Sequence, residues 1–122
     1  MKTILVVEDE VAIAQVVRLL LEEEGYAVAL AANGHDGWAQ LAAQRPDLVI
    51  SDLMMPGLTG SELYDRMQAD PALAGVPVLI MSAAGDPGLG QAGAYVGFLA
   101  KPFELQTLLG LVRRAIGAPA PA

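Results

Sequence analysis

Asp47-Leu48-Val49-Ile50-Ser51-Asp52-Leu53-Met54-Met55-Pro56-Gly57 reads as a short strand that runs into an acid and then breaks. Pro46 precedes it, and Pro56-Gly57 stops it. The apolar run shows no polar alternation, so both of its faces want apolar cover. That is the signature of a strand in a parallel sheet with helices on both sides. The spacing predicts a strand over Asp47 to Ser51, with Asp52 just past its C-terminal end.

Three more runs end in the same way. Thr3-Ile4-Leu5-Val6-Val7 is followed by Glu8-Asp9, and Pro77 to Met81 by Ser82. A run within Ala94 to Ala100 is followed by Lys101. Tyr26 to Ala31 supplies a fifth strand. Helix-period segments lie between them. Ala12 to Glu24 carries Ile13, Val16, Val17, Leu20 and Leu21 on one stripe, and Gly25 ends it. After an Asn33-Gly34 turn, Asp36 to Gln44 reads as a second helix. A third runs from Gly60 or Ser61 to about Ala69, with Ser61 as the expected N-cap. The last, Glu104 to Ile116, places Leu105, Leu108, Leu109 and Val112 on its inner stripe. Ala83 to Gly93 holds Gly85, Pro87, Gly88, Gly90 and Gly93. Each mid-helix glycine costs about 1 kcal/mol against alanine, so the fourth of about five helices is expected to be short or irregular.

Alternating strands and helices imply an α/β fold, a doubly wound parallel sheet. Five strands fit the flavodoxin-like order 2-1-3-4-5, which makes the first and third strands neighbours and sets Glu8-Asp9 beside Asp52. The chain has 122 residues, enough for one domain. Residues 1–117 are expected to form it, with 118–122, an alanine-proline stretch, as a flexible tail.

Composition narrows the function. Hydrophobic residues make up 54% and charged ones 17%, which excludes a disordered chain. The net charge of -7 repels a phosphate backbone, so direct nucleic-acid binding is not expected. No apolar run reaches the length of a membrane span, and no signal peptide is legible. With no cysteine, thiolate chemistry is out. A cytoplasmic location is the expectation.

The crevice at the strand ends carries the chemistry. Carboxylates at close range raise one another's pKa unless a cation sits between them. Glu8, Asp9 and Asp52 therefore imply a divalent ion, and hard oxygen ligands favour Mg2+. Lys101 is a compact ammonium suited to a phosphoryl oxygen, and Ser82 offers a hydroxyl to the same group. A carboxylate beside a metal and a lysine can act as a nucleophile and form an aspartyl-phosphate.

Val7-Glu8-Asp9-Glu10, Asp52-Leu53-Met54-Met55-Pro56-Gly57, Gly60, Met81-Ser82-Ala83 and Lys101-Pro102-Phe103 together resemble a CheY-like response-regulator receiver domain. The resemblance runs from about residue 2 to residue 116. It implies a phosphoacceptor switch of a two-component phosphorelay. Asp52 would be the phosphoacceptor, and a histidine kinase or phosphotransfer protein the donor. Asp9 and Asp52 would bind Mg2+ directly, Glu8 through water, and the Met54 backbone carbonyl would complete the set. Ser82, the Ala83 backbone N–H and Lys101 would contact the phosphoryl group. The Lys101-Pro102 bond would be cis. Ser82 and Phe98 would form the switch, the ring filling space that the hydroxyl vacates. The output would be an altered surface for a downstream protein target, on a monomer or weak homodimer.

Such a chain would be no enzyme beyond its own phosphorylation and dephosphorylation. Two other readings compete. A Mg2+-dependent phosphatase with an aspartate nucleophile would place an Asp-x-Asp motif after the first strand; Asp52 follows the third, and Met54 stands where the second Asp belongs. A receiver-like binding module that has abandoned phosphate would not need Asp52, Ser82 and Lys101 together. Single features have plainer readings too. Glu8 and Asp9 could merely favour a helix N-terminus. Phe98 could be core, His35 solvated, Trp38 packing, and Glu22-Glu23-Glu24 a solvated face.

Overall fold

The computed structural model describes residues 1–83 and 95–119. Nine elements follow one another: β1 (Thr3–Val7), α1 (Val11–Glu23), β2 (Ala27–Ala31), α2 (Gly34–Ala43), β3 (Leu48–Asp52), α3 (Gly60–Ala69), β4 (Val78–Ser82), β5 (Tyr95–Ala100) and α4 (Leu105–Ile116). The strands form one parallel sheet in the order β2-β1-β3-β4-β5. The flavodoxin-like topology expected from the alternation is the one observed. The irregular fourth helix expected between β4 and β5 falls outside the described residues, so α4 here is the helix after β5.

Alternation along each strand feeds two cores. Leu5, Val7, Val49 and Ile80 point to the α2–α3 side with Leu41, Leu63 and Met67. Ile4, Val6, Ile50, Leu79 and Met81 point to the α1–α4 side with Val17, Leu21, Leu108 and Val112. β3 and β4 are buried at every position, as strands covered on both faces should be. At the sheet's edge β5 carries a bulge: Tyr95 pairs with Val78 but Gly97 with Leu79, and Gly97 takes φ 143°.

Several local expectations are corrected. The cap of α3 is Thr59, not Ser61: its Oγ1 accepts from the Glu62 N–H at 3.2 Å, and Glu62 Oε1 accepts from the Thr59 N–H at 3.0 Å. This reciprocal box satisfies two orphan donors, which a lone Ser61 could not do. Asn33 is a cap rather than a turn residue, its side chain accepting from Asp36 N–H at 2.7 Å, so α2 opens at Gly34. Val16 and Leu105, assigned to inner stripes, are 51% and 38% exposed. Glu24 is not merely solvated; it pairs with Arg113 at 2.6 Å.

Candidate functional site

The strand register assembles the site. Val7 lies beside Ser51, Asp52 beside Met81, and Ser82 beside Ala100. The residue that follows or ends each strand therefore reaches one crevice at the C-terminal edge of the sheet, where α/β proteins bind ligands. Glu8, Asp9 and Asp52 each bring a carboxylate oxygen within 4.8 Å of the others. Asp9 is exposed, while Glu8 and Asp52 are buried.

Lys101 sits over the buried pair. Its Nζ lies 2.6 Å from Glu8 Oε1 and 3.2 Å from Asp52 Oδ1. The lysine itself is held where β5 ends, its N–H donating to the Ser82 carbonyl at 2.9 Å, and the Lys101-Pro102 bond is cis. Burial pushes the Glu8 carboxyl up to about 7, helped by Asp52 and opposed by Lys101. Burial works to lower the Lys101 ammonium, but the hydrogen bond and charge of Glu8, with those of Asp52, outweigh it and hold the group above its ordinary value.

The donor set fits a divalent cation. Glu8 Oε2 is buried and, among the described residues, accepts no hydrogen bond. A buried carboxylate oxygen left unpaired is costly. A hard cation between Glu8, Asp9 and Asp52 would supply the missing partner, as oxygen-rich sites for Mg2+ do.

The backbone around Asp52 is tightly held. Leu53 N–H donates to the Met81 carbonyl, and Gly60 N–H to the Leu53 carbonyl, both at 2.9 Å. A Cβ on Gly60 would lie 2.4 Å from the Asp52 carbonyl oxygen. Glycine at the start of α3 thus lets that helix approach the backbone of Asp52 itself. Met54, in the following loop, is 68% exposed, whereas Met55 is buried. Ser82 is buried at the end of β4, and Ala83 is exposed beside it. Phe98 is half-buried opposite Ile80, against the α2–α3 core rather than among the acids.

The model of the response regulator receiver domain family matches residues 4–113. The chain belongs to that family. The phosphate regulon transcriptional regulatory protein PhoB of Pseudomonas aeruginosa is 31% identical to this receiver over 98% of the chain and 54% of PhoB. The transcriptional regulatory protein YkoG of Bacillus subtilis is 37% identical over 93% of the chain and 50% of YkoG. The receiver spans about half the length of these curated relatives. Among solved structures, chemotaxis response regulator CheY4 of Vibrio cholerae superposes with a TM-score of 0.86 at 33% identity, covering 94% of this chain and 98% of CheY4.

Sequence reading places Glu8, Asp9, Asp52, Ser82 and Lys101 at strand ends that share one crevice. It missed the Glu8–Lys101 pair and the close approach of Gly60 to Asp52. The first joins residues 93 positions apart, and no local pattern signals it. Sequence reading also missed the Thr59-x-x-Glu62 box, although the spacing is that of a capping pattern. Among the described residues, no helix is long and apolar enough to cross a membrane.

Proposed function

We propose that this receiver is a phosphoacceptor switch in which Asp52 takes a phosphoryl group from a histidine kinase or phosphotransfer protein in a Mg2+-dependent reaction. The observation that supports it most is Lys101, bracketed between Glu8 and Asp52 with Asp9 alongside. Three carboxylates draw a divalent ion, and the ammonium is placed to offset charge on a phosphoryl group as an Asp52 oxygen attacks.

The step is a simple exchange. An Asp52 carboxylate oxygen forms a bond to phosphorus as the bond from phosphorus to the donor's imidazole nitrogen breaks, and the nitrogen keeps the electron pair. Lys101 turns from Asp52 to an equatorial phosphoryl oxygen, where it offsets transition-state charge. Ser82 and the Ala83 N–H hold a second oxygen. Glu8, Asp9, Asp52 and the Met54 carbonyl would hold Mg2+, which when bound neutralises charge on the transferred group. Charge and hydrogen bonding at Ser82 then bias the half-buried Phe98, and with it a protein-binding surface. The receiver would catalyse only its own phosphorylation and dephosphorylation, in the cytoplasm, with a downstream protein as target and no nucleic-acid contact of its own.

Acetyl phosphate and Mg2+ should add one phosphoryl mass to the intact protein, and Asp52→Asn should remove that gain. No added mass on the unsubstituted chain would sink the proposal in favour of a phosphate-independent binding module. Steady turnover of a generic phosphate ester would instead revive the phosphatase reading.

A further inference from the structure

Behind the acids, the start of α2 presents glycine at two buried positions. Gly34 and Gly37 stand one turn apart on that helix, both buried. Neither takes a positive φ, so backbone freedom is not what calls for glycine at either place. Space is. A Cβ on Gly34 would lie 2.3 Å from the Leu58 carbonyl oxygen and 2.7 Å from the Leu58 Cβ. A Cβ on Gly37 would lie 3.0 Å from Val7 Cγ2 and 3.3 Å from Cγ1.

These two neighbours are the segments that carry the site. Val7 immediately precedes Glu8-Asp9. Leu58 closes the loop that leaves Asp52 and includes Met54, and it is itself buried. Gly57 of the same loop, at φ 77°, lies against His35 of α2. The glycine pair lets α2 settle onto the β1 end and the β3–α3 loop together, so one rigid helix sets the spacing between the two groups of ligands.

We infer that Gly34 and Gly37 are positioning residues for the acidic cluster; the inference rests on the phosphoacceptor reading above. They touch no ligand. They act by letting α2 clamp Val7 and Leu58. A methyl at position 34 must push the Leu58 carbonyl by about 0.7 Å merely to reach 3.0 Å, because packed backbone cannot absorb the overlap. A misplacement of that order costs roughly tenfold to a hundredfold in metal-and-phosphoryl chemistry.

The test compares Gly34→Ala, Gly37→Ala and the control Gly110→Ala, whose new methyl in α4 meets nothing within 4 Å. Mg2+ binding is read by calorimetry, labelling by acetyl phosphate at saturating Mg2+, and folding by circular dichroism. Gly34→Ala should stay folded yet bind Mg2+ and label about tenfold less well, while Gly110→Ala matches the unsubstituted protein. Gly37→Ala should show a smaller deficit that Val7→Ala in the same chain relieves, since the overlap there is with movable methyls. A folded Gly34→Ala protein within twofold of the parent overturns the inference. If Gly34→Ala does not fold, the Gly37 pair decides: rescue by Val7→Ala upholds it, whereas parent-like Gly37→Ala, or no rescue, overturns it. An unsubstituted chain that neither binds Mg2+ nor takes phosphate overturns the phosphoacceptor reading instead.

Discussion

The two ends of the sheet use the same residue types to opposite purposes. At the N-terminal end the polar contacts are closed. Lys2 Nζ donates to the Ile116 carbonyl, Tyr26 Oη to the Gly117 carbonyl at 2.9 Å, and Arg113 meets Glu24 at 2.6 Å. The Thr3 N–H donates to Asp47 at 2.7 Å. Cations there sit at the C-terminus of α4, where the helix dipole favours them. At the C-terminal end, Lys101 serves two carboxylates at once, Glu8 keeps an oxygen without a partner, and a third acid stands by. Charge at one end is spent on tying the chain down. At the other it is left uncompensated, as the proposed uptake of a cation and a phosphoryl group requires.

That contrast can be broken at its strongest point first. Lys101→Met should lower the rate of phosphorylation by acetyl phosphate by roughly a hundredfold or more, since one charged donor to a developing oxyanion is worth about that much. A rate within threefold of the parent would mean that Lys101 belongs to the structure and not to the chemistry.

A smaller effect concerns pH. The folded Glu8 carboxyl lies near 7, above its ordinary value of 4.5, so the folded state holds a proton that the unfolded chain releases. Stability from this group is complete below about 4.5 and is lost as pH rises through about 7, by on the order of 3 kcal/mol. Urea midpoints in Mg2+-free buffer should therefore fall across that window, and Glu8→Gln should flatten the slope relative to the parent. Parallel slopes for the two proteins would show that Glu8 is not strained by burial.

At the closed end the expected changes shrink. Tyr26→Phe should cost about 1 kcal/mol, the net worth of one hydrogen bond, read as a shift in urea midpoint. Glu24→Gln should cost less than about 1 kcal/mol, because its partner Arg113 is 53% exposed and the pair is screened. Neither should alter labelling at Asp52. If Glu24→Gln destabilised the domain more than Lys101→Met slowed it on the same free-energy scale, the division of labour between the two ends would be wrong.

Much of this is legible in the sequence alone. The apolar runs at Thr3–Val7 and Leu48–Ile50, the helical stripe of Ile13, Val17 and Leu21, and the glycine after α1 are local signals, and they set the element order. Strand order followed from the rules of parallel sheets, and it placed Asp52 beside Glu8-Asp9. Legibility failed where two patterns competed or where a partner was remote. Ser61 is as good a cap by type as Thr59, and only the reach of Glu62 back to Thr59 decides between them. Val16 and Leu105 fit a helical period but lie at its margins, where packing of neighbours settles exposure.

The sequence by itself determined which groups exist and which strand ends present them, because periodicity, breaks and connection rules act over short stretches of chain. Tertiary structure alone decided that Lys101 lies closer to Glu8 than to Asp52, and that Glu8 is desolvated enough to hold a proton near neutrality. It also decided that Gly34 and Gly60 are needed for space rather than for turning. Distances across 93 residues, burial and close approach belong to what packs around a group, and packing is a property of the whole fold.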